Sequence, residues 1–352
     1  MKIMYKAVKD YLLEQVALHP SMQPQDIVKL LFQAAFGAEH LLTDKNAAYA
    51  CLVQEFEEIE VTNVSEGLYE QIQDKVCRIN LREWKRRKIP VDWLFRIFVE
   101  SASYAKLYGG QELFAQSLQD VETLIQEGVF DFSMDEWEKT AKRGPVHHSE
   151  VYRKQEQPSY RIVCSRYIRL LPILEELAKL PQDSVHTIVI DGRCASGKTT
   201  MASMLAKILD AGIIHMDDFF LPMELRTKER FSTPGGNVHY ERVEQEVLPK
   251  LKTEEKFSYQ RFDCSKMALG DYVMVKGGKY YIVEGTYSHH PALDEYMTLK
   301  IFSDVEKTEQ LERIRRRDGE KYLENFVNRW IPLEEEYFAS LGEIKDRFDL
   351  IV

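Results

Sequence analysis

The residues with the clearest chemical signature form a glycine loop in the middle of the chain. Residues 192–199 satisfy the pattern G-x-x-x-x-G-K-[ST], with glycine at Gly192 and Gly197. Glycine lets the backbone approach a ligand closely, so successive N–H groups can point at phosphate oxygens. Lys198 would reach the β- and γ-phosphates of a nucleotide, and the Thr199 hydroxyl would ligate Mg²⁺. The predicted phosphate-binding residues are Gly192, Arg193, Cys194, Ala195, Ser196, Gly197, Lys198, Thr199 and Thr200.

The segments on both sides of this loop have the character that a phosphate loop requires. Residues 187–190 form a short apolar, β-branched run, which is typical of a buried parallel strand. After the loop, apolar residues recur at helical spacing from Met201 to Leu209. The order of strand, glycine loop and helix is the context that supports the motif.

Acidic residues follow two further predicted strands. The first strand, over 211–216, is followed by Asp217 and Asp218, and the second, over 279–283, is followed by Glu284. Ligands of open α/β sheets bind at the carboxyl ends of the strands. Asp217 could therefore accept a proton from a substrate hydroxyl, and Glu284 could organise Mg²⁺ or its water. The alternatives are that the aspartates cap a helix and that Glu284 is a solvated loop carboxylate.

Three segments of the second half could contact a substrate. A polar, glycine-containing insertion over 226–240 is predicted to be a covering loop, and residues 257–263 are predicted to be extended. A predicted helix over 309–317 carries four arginines and would suit a mobile lid. Helical geometry allows only one or two of them to reach a single ligand. The arginines are Arg313, Arg315, Arg316 and Arg317.

The composition is that of a globular protein and restricts its partners. The chain has 352 residues, of which 44% are hydrophobic and 30% are charged. A net charge of −10 argues against binding to nucleic acid or to an anionic membrane. No apolar run is long enough to span a membrane, and the N-terminus lacks the apolar core of a signal peptide, so a cytoplasmic location is expected. Five scattered cysteines indicate reduced thiols and no zinc site.

The first half of the chain is predicted to be helical almost throughout. Amphipathic segments are predicted over 5–18, 24–36, 45–58, 69–79, 91–107 and 112–126, and Ser133 with Glu136 forms a capping box. Polar clusters interrupt the pattern at Glu39-His40, at 78–82 and at 144–150, where His147 and His148 could belong to a metal or phosphate site or to a solvated turn. The predicted fold class is therefore an α/β P-loop NTPase domain over 181–352, a parallel sheet flanked by helices, preceded by an all-α N-terminal domain over 1–180.

The combined motifs resemble the uridine kinase-like branch of the P-loop kinases, which is related to pantothenate kinase and phosphoribulokinase. The resemblance covers about residues 185–352 and rests on GRCASGKTT, DDFFLP, YQRFD, VEGTY, RIRRRD and WIPLEEEYF. It implies that Asp217 is the general base, that Tyr259 presents an aromatic ring to the substrate, and that Arg317 and Arg313 lie on the lid. One difference concerns ribose binding, because Ser232 stands where nucleoside kinases of this family have the acid of an F-D-x-P segment.

The sequence therefore predicts a cytoplasmic, ATP- and Mg²⁺-dependent kinase that phosphorylates a hydroxyl of a small metabolite. A nucleoside is the first choice of acceptor; pantothenate, glycerate or a sugar phosphate is the alternative, as is an NTP-operated regulatory module with slow hydrolysis. Further candidates for substrate contact are Arg261, His239 and Tyr287. The role of the helical half, the base of the phosphate donor, the formation of a homo-oligomer and the orientation of His289 and His290 stay open.

Overall fold

A computed structural model of the chain describes residues 7–61, 65–141, 147–253, 255–293 and 295–352. The chain consists of two compact units, Met1–Leu171 and Pro172–Val352. The boundary between them lies about nine residues before the one expected after residue 180. The first two residues of the predicted helix over 5–18, and residues 144–146 of the third polar cluster, lie outside the described residues.

Helices make up most of the first unit, and the second of them, α2 (Pro24–Phe36), shows how the sequence sets their limits. Pro24 occupies the first turn of α2, and Gln23 and Asp26 form a capping box there. Gly37 ends the helix with a φ of 68°. The helices are α1 (Val8–Leu18), α2 (Pro24–Phe36), α3 (Lys45–Glu58), α4 (Leu81–Arg86), α5 (Val91–Ala102), α6 (Gly110–Gln126), α7 (Met134–Ala141) and α8 (Glu150–Glu156).

The first unit also contains a three-stranded antiparallel sheet, which the sequence did not predict. Its strands are β1 (Tyr69–Gln73), β2 (Val76–Asn80) and β3 (Tyr160–Cys164), in the order β1-β2-β3. The prediction of a helix over 69–79 was wrong, and the all-α description has to be extended by this sheet. The reason is tertiary, because β2 is buried between β1 and a strand from much later in the chain.

A five-stranded parallel sheet forms the centre of the second unit. Its strand order is β10-β9-β4-β8-β5, so β4 lies in the middle, and every residue of β4 is buried. A separate antiparallel hairpin consists of β6 and β7, which confirms the predicted extended segment over 257–263. The strands are β4 (His186–Gly192), β5 (Gly212–His215), β6 (Phe257–Asp263), β7 (Ala268–Val275), β8 (Tyr280–Glu284), β9 (Leu299–Ser303) and β10 (Leu350–Ile351).

Helices flank this sheet, and the α/β P-loop fold class is confirmed for the second unit. One of these helical segments begins as a π-helical turn, Phe326–Trp330, and continues as the α-helix Ile331–Leu341. In the described parts of the chain, no helix is both long and apolar enough to cross a membrane. The helices are α9 (Leu171–Ala178), α10 (Lys198–Leu209), α11 (Lys228–Phe231), α12 (Tyr240–Arg242), α13 (Lys307–Asp318), α14 (Glu320–Asn325), α15 (Ile331–Leu341) and α16 (Ile344–Arg347).

Candidate active site

The glycine loop leaves the end of β4 and enters α10 in a conformation that few residues other than glycine tolerate. Gly192 has a φ of 136°, and a Cβ atom placed on it would lie 2.0 Å from the carbonyl oxygen of Ser303 on the neighbouring strand. Ala195 also has a positive φ, 59°. Gly197, with a φ of 100°, precedes the first residue of α10. The loop therefore lies against β9 and turns directly into a helix N-terminus, which attracts anions.

Lys198 is buried and is held across the loop by backbone carbonyl groups. Its Nζ donates to the carbonyl oxygens of Gly192 at 2.7 Å and Arg193 at 2.9 Å. The Thr286 hydroxyl oxygen is 3.4 Å from the same Nζ. These contacts fix the ammonium group beside the loop, which is where a phosphate-binding lysine is needed.

Thr199 and Glu284 meet where the carboxyl ends of adjacent strands converge. The Thr199 hydroxyl donates to the Glu284 carboxylate, with distances of 3.1 and 3.2 Å to its two oxygens. His215, the last residue of β5, places its Nδ1 2.6 Å from the same carboxylate, and this hydrogen bond raises the pKa of His215. No sequence motif includes His215, although its position at the end of a strand that precedes two aspartates is a usable signal.

The Thr199 and Glu284 pair fits a magnesium ion. Both side chains offer oxygen atoms, the ligands that Mg²⁺ prefers, and the ion usually takes only one or two protein ligands beside phosphates and waters. In the part of the chain that the structure describes, no group of three or more His, Cys, Asp and Glu side chains is arranged to hold a metal by itself. In addition, the buried Ser196 hydroxyl of the loop has no hydrogen-bond partner among the described residues. Thr199 and Glu284 would hold the ion next to the loop.

Asp217 and Asp218 follow β5 and have different environments. Tyr259 donates its hydroxyl hydrogen to Asp218 at 2.6 Å, and its ring, 1% exposed, packs on Phe219. The Asp217 side chain reaches solvent at the surface of the site, and protein atoms are packed around its carboxylate. Desolvation by the surrounding protein atoms and the negative charge of Glu284 raise its pKa. Tyr259 therefore holds Asp218 in place and does not present its ring to a substrate, while Asp217 can reach one.

Arg313 is the arginine of α13 that contacts the glycine loop. Its Nη1 donates to the carbonyl oxygens of Ala195 at 3.2 Å and Ser196 at 3.3 Å. Arg317 forms an ion pair with the adjacent Asp318, and its guanidinium group lies 5.7 Å from the ring centroid of Phe326. The helix thus brings Arg313 into contact with the glycine loop, while Arg317 interacts electrostatically with Cys194 and Asp217.

Glu334 is a buried acid of α15 that the sequence analysis did not single out. One carboxylate oxygen accepts from the backbone N–H of Cys194 at 2.9 Å, and the other lies 3.2 Å from the Thr286 hydroxyl. Burial raises the pKa of Glu334. The sequence does contain a signal for Glu334. It is three and seven residues before the core residues Tyr337 and Leu341, so the three side chains share one face of the helix. An acid on the apolar face of a helix indicates a buried polar contact.

Several other predicted residues have partners away from the Thr199 and Glu284 pair. Arg261 lies on the β6–β7 hairpin, 3.4 Å from Asp271, and the His239 imidazole is 4.0 Å from the Glu241 carboxylate. Tyr287 is buried. The structure therefore joins Lys198, Thr199, Glu284 and Arg313 around the loop, and it leaves Arg261 outside that group.

His289 and His290 are packed residues. The His289 ring lies 4.7 Å from the ring of Phe348, and the His290 ring stacks on Tyr240 at 4.4 Å. Burial lowers the pKa of each histidine to about 4. Both imidazoles are therefore neutral near pH 7.

Comparisons with known proteins concern the fold of about half of the chain. No family model matches it, and no curated protein matches it by sequence. Among solved structures, one similar protein is described as a possible uridine kinase from Bacillus stearothermophilus; it is 18% identical, with 53% of this chain and 98% of that chain covered and a TM-score of 0.42. Another, from Silicibacter sp. TM1040, is provisionally described as a fructose transport system kinase; it is 19% identical, with 53% and 97% covered and a TM-score of 0.36.

Proposed function

We propose that the second unit is an ATP- and Mg²⁺-dependent kinase that phosphorylates a hydroxyl group of a small metabolite, with a nucleoside as the first choice of acceptor. The observation that carries this proposal is the contact between the Thr199 hydroxyl and the Glu284 carboxylate beside the loop lysine. A phosphate loop with an acid at the end of the adjacent strand is suited to hold a triphosphate and its metal ion.

Each step of the transfer has a candidate residue. The loop N–H groups and Lys198 would hold the phosphates, and Thr199 and Glu284 would hold Mg²⁺, whose positive charge would be supplied next to the phosphate oxygens. The acceptor oxygen forms a bond to the γ-phosphorus as the bond to the departing ADP oxygen breaks. Asp217 receives the proton of the acceptor hydroxyl, and Arg313 offsets charge near the loop. Catalysis of this type depends on positioning and on charge stabilisation.

The contacts of the insertion favour a neutral acceptor over an anionic one. An anionic acceptor would need a cation in the insertion, and the Arg230 guanidinium is already engaged in a bidentate pair with Glu241, at 2.7 and 2.9 Å, and over the Tyr240 ring. The Nε of Arg226 donates to the carbonyl oxygen of Leu221 at 2.7 Å. These two cations therefore hold the loop together, and an anionic acceptor would have to bind the exposed Lys228 of the same insertion. A nucleoside or another uncharged alcohol needs no such contact.

The test is ADP release by the purified full chain with Mg-ATP, screened against uridine, cytidine, pantothenate, glycerate and sugar phosphates. The proposal expects one uncharged acceptor to accelerate ADP release well above the rate without acceptor, and the Lys198→Ala protein to lose that acceleration. An anionic acceptor as the best substrate would support the alternative kinase. Slow ADP release that no acceptor changes, together with tight ATP binding, would support the regulatory module and contradict a kinase.

A further inference from the structure

Glu334 contacts the phosphate loop from a buried position on α15. It is 7% exposed, and one of its carboxylate oxygens accepts the backbone N–H of Cys194 at 2.9 Å. Its other carboxylate oxygen lies 3.2 Å from the Thr286 hydroxyl oxygen. The next acid of the helix, Glu335, is exposed and accepts from Nε of Arg193 at 2.8 Å. Two successive acids of one helix therefore hold two successive residues of the loop.

A shared hydroxyl group links Glu334 to the lysine of the loop. The Lys198 Nζ lies 3.4 Å from the Thr286 hydroxyl oxygen, which in turn contacts the Glu334 carboxylate. Thr286 has one hydroxyl hydrogen, and the carbonyl oxygen of Gly192, at 3.0 Å, is a second acceptor for it. Burial raises the pKa of Glu334, and the positive charge of Lys198 opposes that shift. The carboxylate, the hydroxyl and the ammonium group therefore form one chain of contacts beside the loop.

The negative charge of Glu334 opposes that of a nucleotide. Lys198 and the N–H groups of the loop attract phosphate oxygens, and Glu334 offsets part of the attraction by Lys198. Solvent ions screen a buried charge much less than an exposed one. In addition, the N–H of Cys194 is not available to a phosphate oxygen while Glu334 accepts its hydrogen. The side chain therefore has two separable properties, a hydrogen bond that holds the loop and a charge that repels phosphate.

We propose that Glu334 is a positioning residue of the nucleotide site with two opposite effects: its hydrogen bond to Cys194 fixes the loop for phosphate binding, and its charge limits how tightly a nucleotide binds. This inference rests on the proposed function, because it requires a nucleotide at the loop. A kinase has to release ADP in every turnover, and a buried charge of the same sign as the phosphates favours that release. An acid with a purely structural role would affect the stability of the fold and leave nucleotide affinity unchanged.

Substitutions in the full chain separate the charge of Glu334 from its hydrogen bond. Glu334→Gln keeps an acceptor oxygen for the Cys194 N–H and removes the charge, so it should bind ADP about three- to tenfold more tightly than the wild type. Glu334→Asp keeps the charge, but its shorter side chain withdraws the carboxylate from that N–H, so it should bind ADP about threefold or more weakly. Glu336→Gln, which neutralises an exposed acid of the same helix, should stay within about twofold of the wild type.

Calorimetric titration with ADP in the presence of Mg²⁺ measures these affinities without an acceptor and without turnover. An ADP affinity of Glu334→Gln equal to or below that of the wild type would contradict the limit on affinity. An ADP affinity of Glu334→Asp equal to or above that of the wild type would contradict the positioning role. Each variant predicts a change of definite sign, so one of them decides if melting curves show that the other does not fold.

The same titrations distinguish this inference from the kinase proposal. A wild-type protein that binds ADP but transfers phosphate to no acceptor would contradict the kinase, and the affinities of the variants would still test the role of Glu334. Unchanged ADP affinity in both Glu334 variants of a protein that does transfer phosphate would overturn this inference and leave the kinase in place. A wild-type protein that binds no ADP would contradict both.

Discussion

Two adjacent carboxylates, Asp217 and Asp218, differ because of what each contacts. Asp218 accepts the hydroxyl hydrogen of Tyr259 at 2.6 Å, while Asp217 stays at the surface with a raised pKa. In the proposed reaction the proton acceptor must reach the acceptor hydroxyl, and of the two aspartates Asp217 is the exposed one. The sequence placed both acids at the end of β5, but only the buried position of Tyr259 separates their roles.

Substitutions of Asp217 and Lys198 should impair the proposed reaction in different ways. Asp217→Asn should lower turnover by roughly 10²–10⁴ with little change in ATP affinity, because a base is lost and the phosphate contacts remain. Lys198→Ala should lower turnover and also weaken nucleotide binding, because its ammonium group is held beside the loop. Steady-state kinetics and ATP titrations measure both effects. Wild-type turnover by Asp217→Asn with the true acceptor would show that another group is the base.

The raised pKa of Asp217 gives the reaction a distinct pH dependence. Desolvation favours the protonated acid, whereas Mg²⁺ held at Glu284 would cancel the charge of that carboxylate. Activity should therefore fall as the pH drops through a value above the ordinary aspartate pKa of about 3.9, because of desolvation. Measurement of kcat/KM against pH, on protein shown to stay folded at each pH, tests this expectation. An acidic limb at or below the ordinary value would mean that the carboxylate is not desolvated in the working enzyme.

At the scale of the elements, the close approach of the phosphate loop to β9 depends on one glycine. Gly192→Ala should destabilise the second unit by about 3 kcal/mol, because the new Cβ would lie 2.0 Å from a backbone oxygen at a positive φ. Gly278→Ala is the matched control, since its nearest neighbouring atom is 3.4 Å away. The melting temperatures of both variants and of the wild type test this prediction. Equal stability of Gly192→Ala and Gly278→Ala would show that the loop can shift away from Ser303.

Helix α13 should act through one of its arginines. Arg313→Ala should lower turnover by up to about 100-fold, because its guanidinium group contacts the loop carbonyl oxygens of Ala195 and Ser196. Arg316→Ala removes an equal charge from the exposed part of the same helix and should change turnover less than about twofold. Turnover of the two variants, measured side by side with the wild type, tests this prediction. Equal losses in the two variants would favour a general effect of positive charge on ATP binding.

The local spacing of apolar residues predicted most helices and strands of the second unit. In the first unit it wrongly predicted a helix over residues 69–79. Residues 187–190 form part of a central strand that is apolar on both faces, so their run of β-branched residues was a sufficient signal. Residues 69–79 also have apolar side chains at helical spacing, yet they form the β1–β2 hairpin. Its third strand begins at Tyr160, and a window of sequence around residue 75 contains no trace of that partner.

At the scale of the whole molecule, the chain consists of two compact units with separate chemical features. The motif residues of the second unit were predictable because a phosphate loop needs fixed spacing within a single strand, turn and helix. Glu334 and His215 were not identified, since they reach the loop and Glu284 only through the packing of α15 and the order of the strands. In the first unit, Asp26 and His148 meet across more than a hundred residues of chain, which no short motif encodes.

The central claim is the transfer of a phosphoryl group to an acceptor hydroxyl in the second unit. Its most direct test is single-turnover transfer of label from [γ-³²P]ATP to the best acceptor of the ADP screen, with wild-type protein and Asp217→Asn compared in the same experiment. The account predicts labelled acceptor with the wild type and a strongly reduced rate with Asp217→Asn, at equal ATP occupancy. Label that appears only as inorganic phosphate, at the same rate in both proteins, would contradict a kinase and its assigned base.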